Sequence, residues 1–73
     1  MGIMSDDYDR IHWPFRARYY QEIGWTYYAC ASERIEAVRR MTDLQRLRAA
    51  LEVPDLQKSV QRAVLKRLRE IGA

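Results

Sequence analysis

Seven aromatic rings fall within the sixteen positions from Trp13 to Tyr28 of a 73-residue chain, and this crowding limits the fold more than any other feature. A domain of this size has a thin core and keeps much of its surface in water. Trp13, Phe15, Tyr19, Tyr20, Trp25, Tyr27 and Tyr28 therefore cannot all be interior. Phe15, Tyr19, Ile23, Tyr27, Cys30 or Ala31, Ile35 and Val38 recur every three or four residues, the period of one helical face. Composition pulls the other way: Trp25, Thr26, Tyr27 and Tyr28 favour strands, and Gly24 costs a helix about 1 kcal/mol relative to alanine. With period weighed above propensity, the sequence predicts a helix over 14–40, with Gly24 and Ser32 as points where it can break. Trp13, Tyr20 and Trp25 lie off the shared face and are candidates for exposure.

Trp13-Pro14 marks the start of that helix, because proline suits a first helical turn and pushes its predecessor out of helical geometry. Upstream, MGIMSDDYDR is acidic and has no apolar period, which predicts a flexible, disordered arm over 1–13. Downstream, Thr42-Asp43-Leu44-Gln45 fits a capping box. It opens a helix striped by Leu44, Leu47, Ala50 and Leu51, which Val53-Pro54 stops near Glu52. Asp55 is placed to cap a last helix over about 55–71, with Leu56, Val60, Ala63, Val64, Leu68 and Ile71 as its stripe and Gly72 as its stop. The expected fold is all-α: a single domain over 14–73 made of three to four helices.

Several kinds of chemistry lack their parts. His12 is the only histidine and Cys30 the only cysteine. A Cys/His nucleophile pair would need an accidental tertiary contact, and a zinc site would lack its ligands. Cys30, beside Tyr28, Ala29 and Ala31, reads as a packed thiol in a helix. Asp6, Asp7 and Asp9 are crowded, but the glycine and distant glutamate of a calcium loop are missing, so a solvated acidic arm is the better reading. Gly2, Gly24 and Gly72 build no phosphate loop. No enzyme activity, metal or cofactor is expected. A lone cysteine suits a reducing compartment, no apolar run is long enough to cross a bilayer, and the start lacks the order of a signal peptide, so a soluble intracellular protein is expected.

What the sequence does offer is surface. Aromatic residues and arginine dominate energetic hot spots because they bring contact area at small entropic cost. Trp13, Phe15, Arg16, Arg18, Tyr20 and Trp25 are therefore the candidate partner-binding residues. The net charge of +3 is uneven: residues 1–32 carry −1 and residues 33–73 carry +4. Lys58, Arg62, Lys66 and Arg69 line one side of the last helix, nearly opposite its apolar stripe. The plain account is a solvated face; four cations without an interleaved acid favour contact with nucleic acid or an acidic partner. Arg67 sits toward the apolar side, where its stem can snorkel.

Taken together, the length, the MSDDYDR start, the segment IHWPFRARYYQEIGWTYY and the basic end LQKSVQRAVLKRLREIG resemble a small transcription regulator of a lytic Xanthomonas phage that binds host RNA polymerase. The resemblance implies inhibition of initiation through loss of the sigma factor, and antitermination on the elongating enzyme. It also implies docking at the N-terminus of the polymerase's largest subunit near the RNA exit channel, with the elongation factor NusA and nascent RNA as further contacts, in the host bacterial cytoplasm. The rival from the residues themselves is a helix-turn-helix DNA binder. In it, the second helix, the Val53-Pro54-Asp55 turn and the last helix would present Gln57, Lys58, Gln61 and Arg62 to bases.

Overall fold

The computed structural model describes residues 6–72. Helix α1 (Asp6–His12) leads through a 3-10 turn (Trp13–Phe15) into strand β1 (Arg16–Tyr20), followed by β2 (Gly24–Tyr27), α2 (Ala31–Arg40), α3 (Leu44–Leu51) and α4 (Lys58–Glu70). The protein is thus α+β, and the all-α expectation is overturned by a two-stranded antiparallel sheet where one helix was predicted over 14–40.

The reason lies between Arg16 and Tyr28. The strands pair Arg16 with Tyr27, Tyr19 with Trp25 and Tyr20 with Gly24, with a bulge between Arg16 and Tyr19. At the bulge the Thr26 hydroxyl donates to the Arg18 carbonyl at 2.8 Å and accepts from the Arg18 amide at 3.1 Å. Gly24 closes the turn at φ +85°, a conformation that side chains with a Cβ rarely adopt. Cross-strand aromatic contact then outweighs the helical period: Tyr19 and Trp25 meet edge to face with ring centroids 5.4 Å apart. Of the face expected to be helical, only its C-terminal part survives, with Ile35 and Val38 on α2.

The expected arm is also corrected where it is described. Residues 6–12 form α1, acidic at its start and basic at its end, with Asp7 ion-paired to Arg10. Residues 1–5 of that expectation lie outside the described residues. Cys30, expected inside a helix, is exposed at the residue preceding α2.

The two later helices follow their stripes. The Asp43 carboxylate caps α3 by accepting from the Gln45 amide at 2.9 Å, one residue after the expected Thr42 cap. Val60 and Val64 of α4 are fully buried, and Leu56, Ala63, Leu68 and Ile71 pack against the same core. Gly72 ends α4 at φ +85°. Helix α4 begins at Lys58 rather than Asp55 because Asp55 is recruited elsewhere. Of the buried core residues, Val38, Met41, Leu47, Ala50, Val53, Val60 and Val64 come from the helical part and the connections within it; the aromatic segment adds Phe15, with Tyr28 partly buried against them. Helix α4 packs on both α2 and α3, while the strands pack chiefly on each other.

Candidate functional site

The hairpin is held to the helices by directional polar contacts, and these decide which of its side chains remain free. At their centre is Arg34, whose side chain has no solvent exposure. Its position on α2, between Ala31 and Val38 on the inward stripe, forces the guanidinium into the interior. There its Nε donates to the Tyr28 carbonyl at 2.9 Å. One terminal nitrogen donates to the Asp55 carbonyl at 3.2 Å and to Gln57 Oε1 at 3.0 Å, and the other reaches the Asp55 carboxylate at 3.3 Å. The Phe15 ring lies 4.9 Å from the guanidinium carbon. A buried charge is tolerated only when paired and hydrogen-bonded throughout, and Arg34 meets that condition.

Asp55 also ties down α1. His12 Nε2 lies 3.0 Å from its carboxylate and Nδ1 lies 3.1 Å from the Tyr8 carbonyl. Both partners are acceptors, so an imidazole making the two bonds together donates from both nitrogens. Burial pushes the Asp55 carboxyl up, but the His12 and Arg34 contacts outweigh it and hold the group below the usual carboxylate range. The Gln57 side chain adds a bond to the Ala29 carbonyl at 2.9 Å, and Arg46 Nε donates to the Pro14 carbonyl at 3.0 Å.

A second cluster fixes the base of the hairpin. Arg16 grips Asp9 with two bonds of 2.8 and 2.5 Å, and the Tyr27 hydroxyl donates to the same carboxylate at 2.5 Å. The Arg16 bond, supported by Tyr27, holds Asp9 below the ordinary carboxylate range despite burial. Burial first, and then the Asp9 hydrogen bond, pushes the Tyr27 phenol up to about 12.

These bonds sort the candidate binding residues. Phe15 is fully buried and serves the core, so it is unavailable to a partner. Arg16 is committed to Asp9, although its guanidinium also stacks over Trp25 at 4.9 Å. Trp13 is half-buried and lines, with Arg16, Trp25, Asp43 and Arg46, an open cleft of about 430 Å³. Arg18 is exposed and lies over the Tyr20 ring at 6.0 Å. Tyr20 and Trp25 are exposed as expected, at 42% and 37%. Two neighbours that the helical reading had turned inward are more exposed still, Tyr19 at 59% and Ile23 at 64%. Tyr19 lies on β1 and Ile23 in the turn before β2, placements that follow from cross-strand pairing and that the helical period conceals. Lys58, Arg62, Lys66 and Arg69 are all exposed on α4, and Arg67 is half-buried with its Nε donating to the Met41 carbonyl at 2.9 Å.

Among the described residues, no group of three or more His, Cys, Asp or Glu side chains could hold a metal ion, and no helix is long and apolar enough to cross a membrane. The fold defines a small α+β domain whose aromatic hairpin is joined to a three-helix unit by buried polar contacts. Set against known family models, curated proteins and solved structures, the chain matches none of them.

Proposed function

We propose that this protein binds host bacterial RNA polymerase, inhibiting initiation by displacing the sigma factor and promoting antitermination. Docking would occur at the N-terminus of the largest subunit near the RNA exit channel, in the host cytoplasm, with NusA and nascent RNA as further contacts. The choice of partner follows the resemblance of the chain to the phage regulator. The observation that carries a binding role is the hairpin, which exposes Tyr19, Tyr20, Ile23 and Trp25 while its base is fastened by Asp9, Arg16 and Tyr27. Exposed rings on a pre-ordered support give up little entropy on docking.

The helix-turn-helix alternative is weakened at Gln57. Both ends of that side chain are occupied, by Arg34 and by the Ala29 carbonyl, so it is not available to read a base.

The test is recovery of polymerase from a bacterial lysate by tagged protein, with and without nuclease, followed by titration calorimetry on purified enzyme. Polymerase should be retained after nuclease. Tyr20→Ala and Trp25→Ala should each weaken binding by about 2 kcal/mol if their rings are hot spots, with helical content unchanged. Parent-like affinity in the double variant would remove the hairpin from the interface.

A further inference from the structure

We infer that the outer face of α4 is a second docking surface, shaped for an acidic protein surface with an apolar socket, and that Leu65 is its central contact. This inference stands on α4 alone and does not require the hairpin or the polymerase.

Three observations converge. First, Lys58, Arg62, Lys66 and Arg69 take part in none of the ion pairs among the described residues, whereas Arg10, Arg16, Arg34, Arg39 and Arg67 are all paired. Arg18, Arg40, Arg46 and Arg48 are likewise in no ion pair among the described residues, but they are spread over β1, α2 and α3, whereas α4 lines four such cations along one face. At a rise of about 1.5 Å per residue, Lys58 to Arg69 spans roughly 16 Å. Second, the face carries no free acid: Glu70, at its margin, is bonded to Arg67. Third, Leu65 is 43% exposed although the rest of the apolar stripe of α4 packs inward. At about 100° per residue it points into the same outer sector as Lys58, Arg62 and Arg69. An apolar side chain with cations above it, below it and along one flank resembles the layout of a protein-binding patch, in which a desolvated contact is bordered by charge.

The same layout argues against the other anionic partners. A phosphate backbone rewards the cations but offers nothing to an aliphatic side chain, which cannot stack on bases as a ring does. A membrane surface would require a broad apolar face turned toward lipid. Here Val60 and Val64 are fully buried in the core, leaving one leucine outside.

The experiment is an NMR titration of the whole chain with four probes at physiological salt: a synthetic amphipathic helix of glutamates and leucines, the same peptide with serine for leucine, oligouridine, and vesicles containing phosphatidylglycerol. The glutamate–leucine peptide should shift the amides around Leu65 and bind at least about tenfold more tightly than the serine peptide, and Leu65→Gln should abolish that advantage. Gln keeps helix propensity at an exposed position, and the peptide comparison itself needs no variant. The inference is overturned if oligouridine or vesicles bind α4 more tightly than the peptide. Equal affinity for the two peptides, Leu65→Gln binding like the parent, or no peptide binding would overturn it equally. Failure to recover polymerase from lysate would remove the proposed function and leave this result standing.

Discussion

The two halves of the molecule are held by different forces. From Ala31 to Ile71, apolar stripes on α2, α3 and α4 close on one another around Val38, Leu47, Val60 and Val64. From Asp6 to Tyr28, Phe15 and Pro14 supply the fully buried side chains; Asp9 ties the segment together internally through Arg16 and Tyr27, and hydrogen bonds and ion pairs centred on Arg34 and Asp55 join it to the helices. Apolar contact is non-directional and tolerates small displacement, whereas polar contacts depend on geometry and protonation. Exposed rings need an anchorage other than a core. A chain this short has too little apolar surface to bury the hairpin and display it as well.

Arg34→Leu should disturb this division most. It leaves the Tyr28 and Asp55 carbonyls without a donor, although Asp55, whose side chain is 61% exposed, can be solvated by water. The expected loss is about 3 kcal/mol in denaturant unfolding, with aromatic near-ultraviolet dichroism lost before the helical signal. A variant that unfolds at the parent midpoint would mean that the two halves do not depend on this junction.

A smaller effect is expected from Asp9→Asn, about 1.5 kcal/mol for weakening a charge-assisted bond, seen as faster amide exchange in residues 16–27 and unchanged exchange in α4. Acid sharpens the same point. Asp9 and Asp55 have depressed pKa values in the folded protein, so their stabilisation is fully present above the ordinary carboxylate value of about 3.9 and is lost as pH falls through the lower folded values. The hairpin half should therefore loosen before the helices during acid titration. Simultaneous loss of both signals would make the protein one cooperative unit.

The smallest effect is spectroscopic. Tyr27 should ionise at about 12, later than an ordinary tyrosine. Its neutral form is favoured by folding, so this contribution is fully present below about 10 and is lost as pH rises through the folded value. In ultraviolet titration Asp9→Asn should move this step toward the ordinary range, because one of its causes is removed. An unchanged titration would assign the whole perturbation to burial.

Sequence alone determined the elements whose causes are local. The α4 stripe of Val60, Val64, Leu68 and Ile71, its glycine stop at Gly72, and the α3 stripe around Leu47 and Ala50 were legible because turns of a helix bring near neighbours together. The outward line of Lys58, Arg62, Lys66 and Arg69 follows from the same period. Only the tertiary structure decided the rest. Aromatic spacing between Phe15 and Tyr27 suits a helix by count, and the choice of strands depends on cross-strand contacts such as Tyr19 with Trp25. Arg34 carried a faint signal, since it falls on the inward stripe of α2. Its acceptors on Asp55 and Gln57 lie 21 and 23 residues away, and no local pattern could show that they would meet a buried guanidinium. Asp55 looked like a helix cap for the same reason: its best partners, His12 and Arg34, are distant in the chain and become neighbours only when the two halves join.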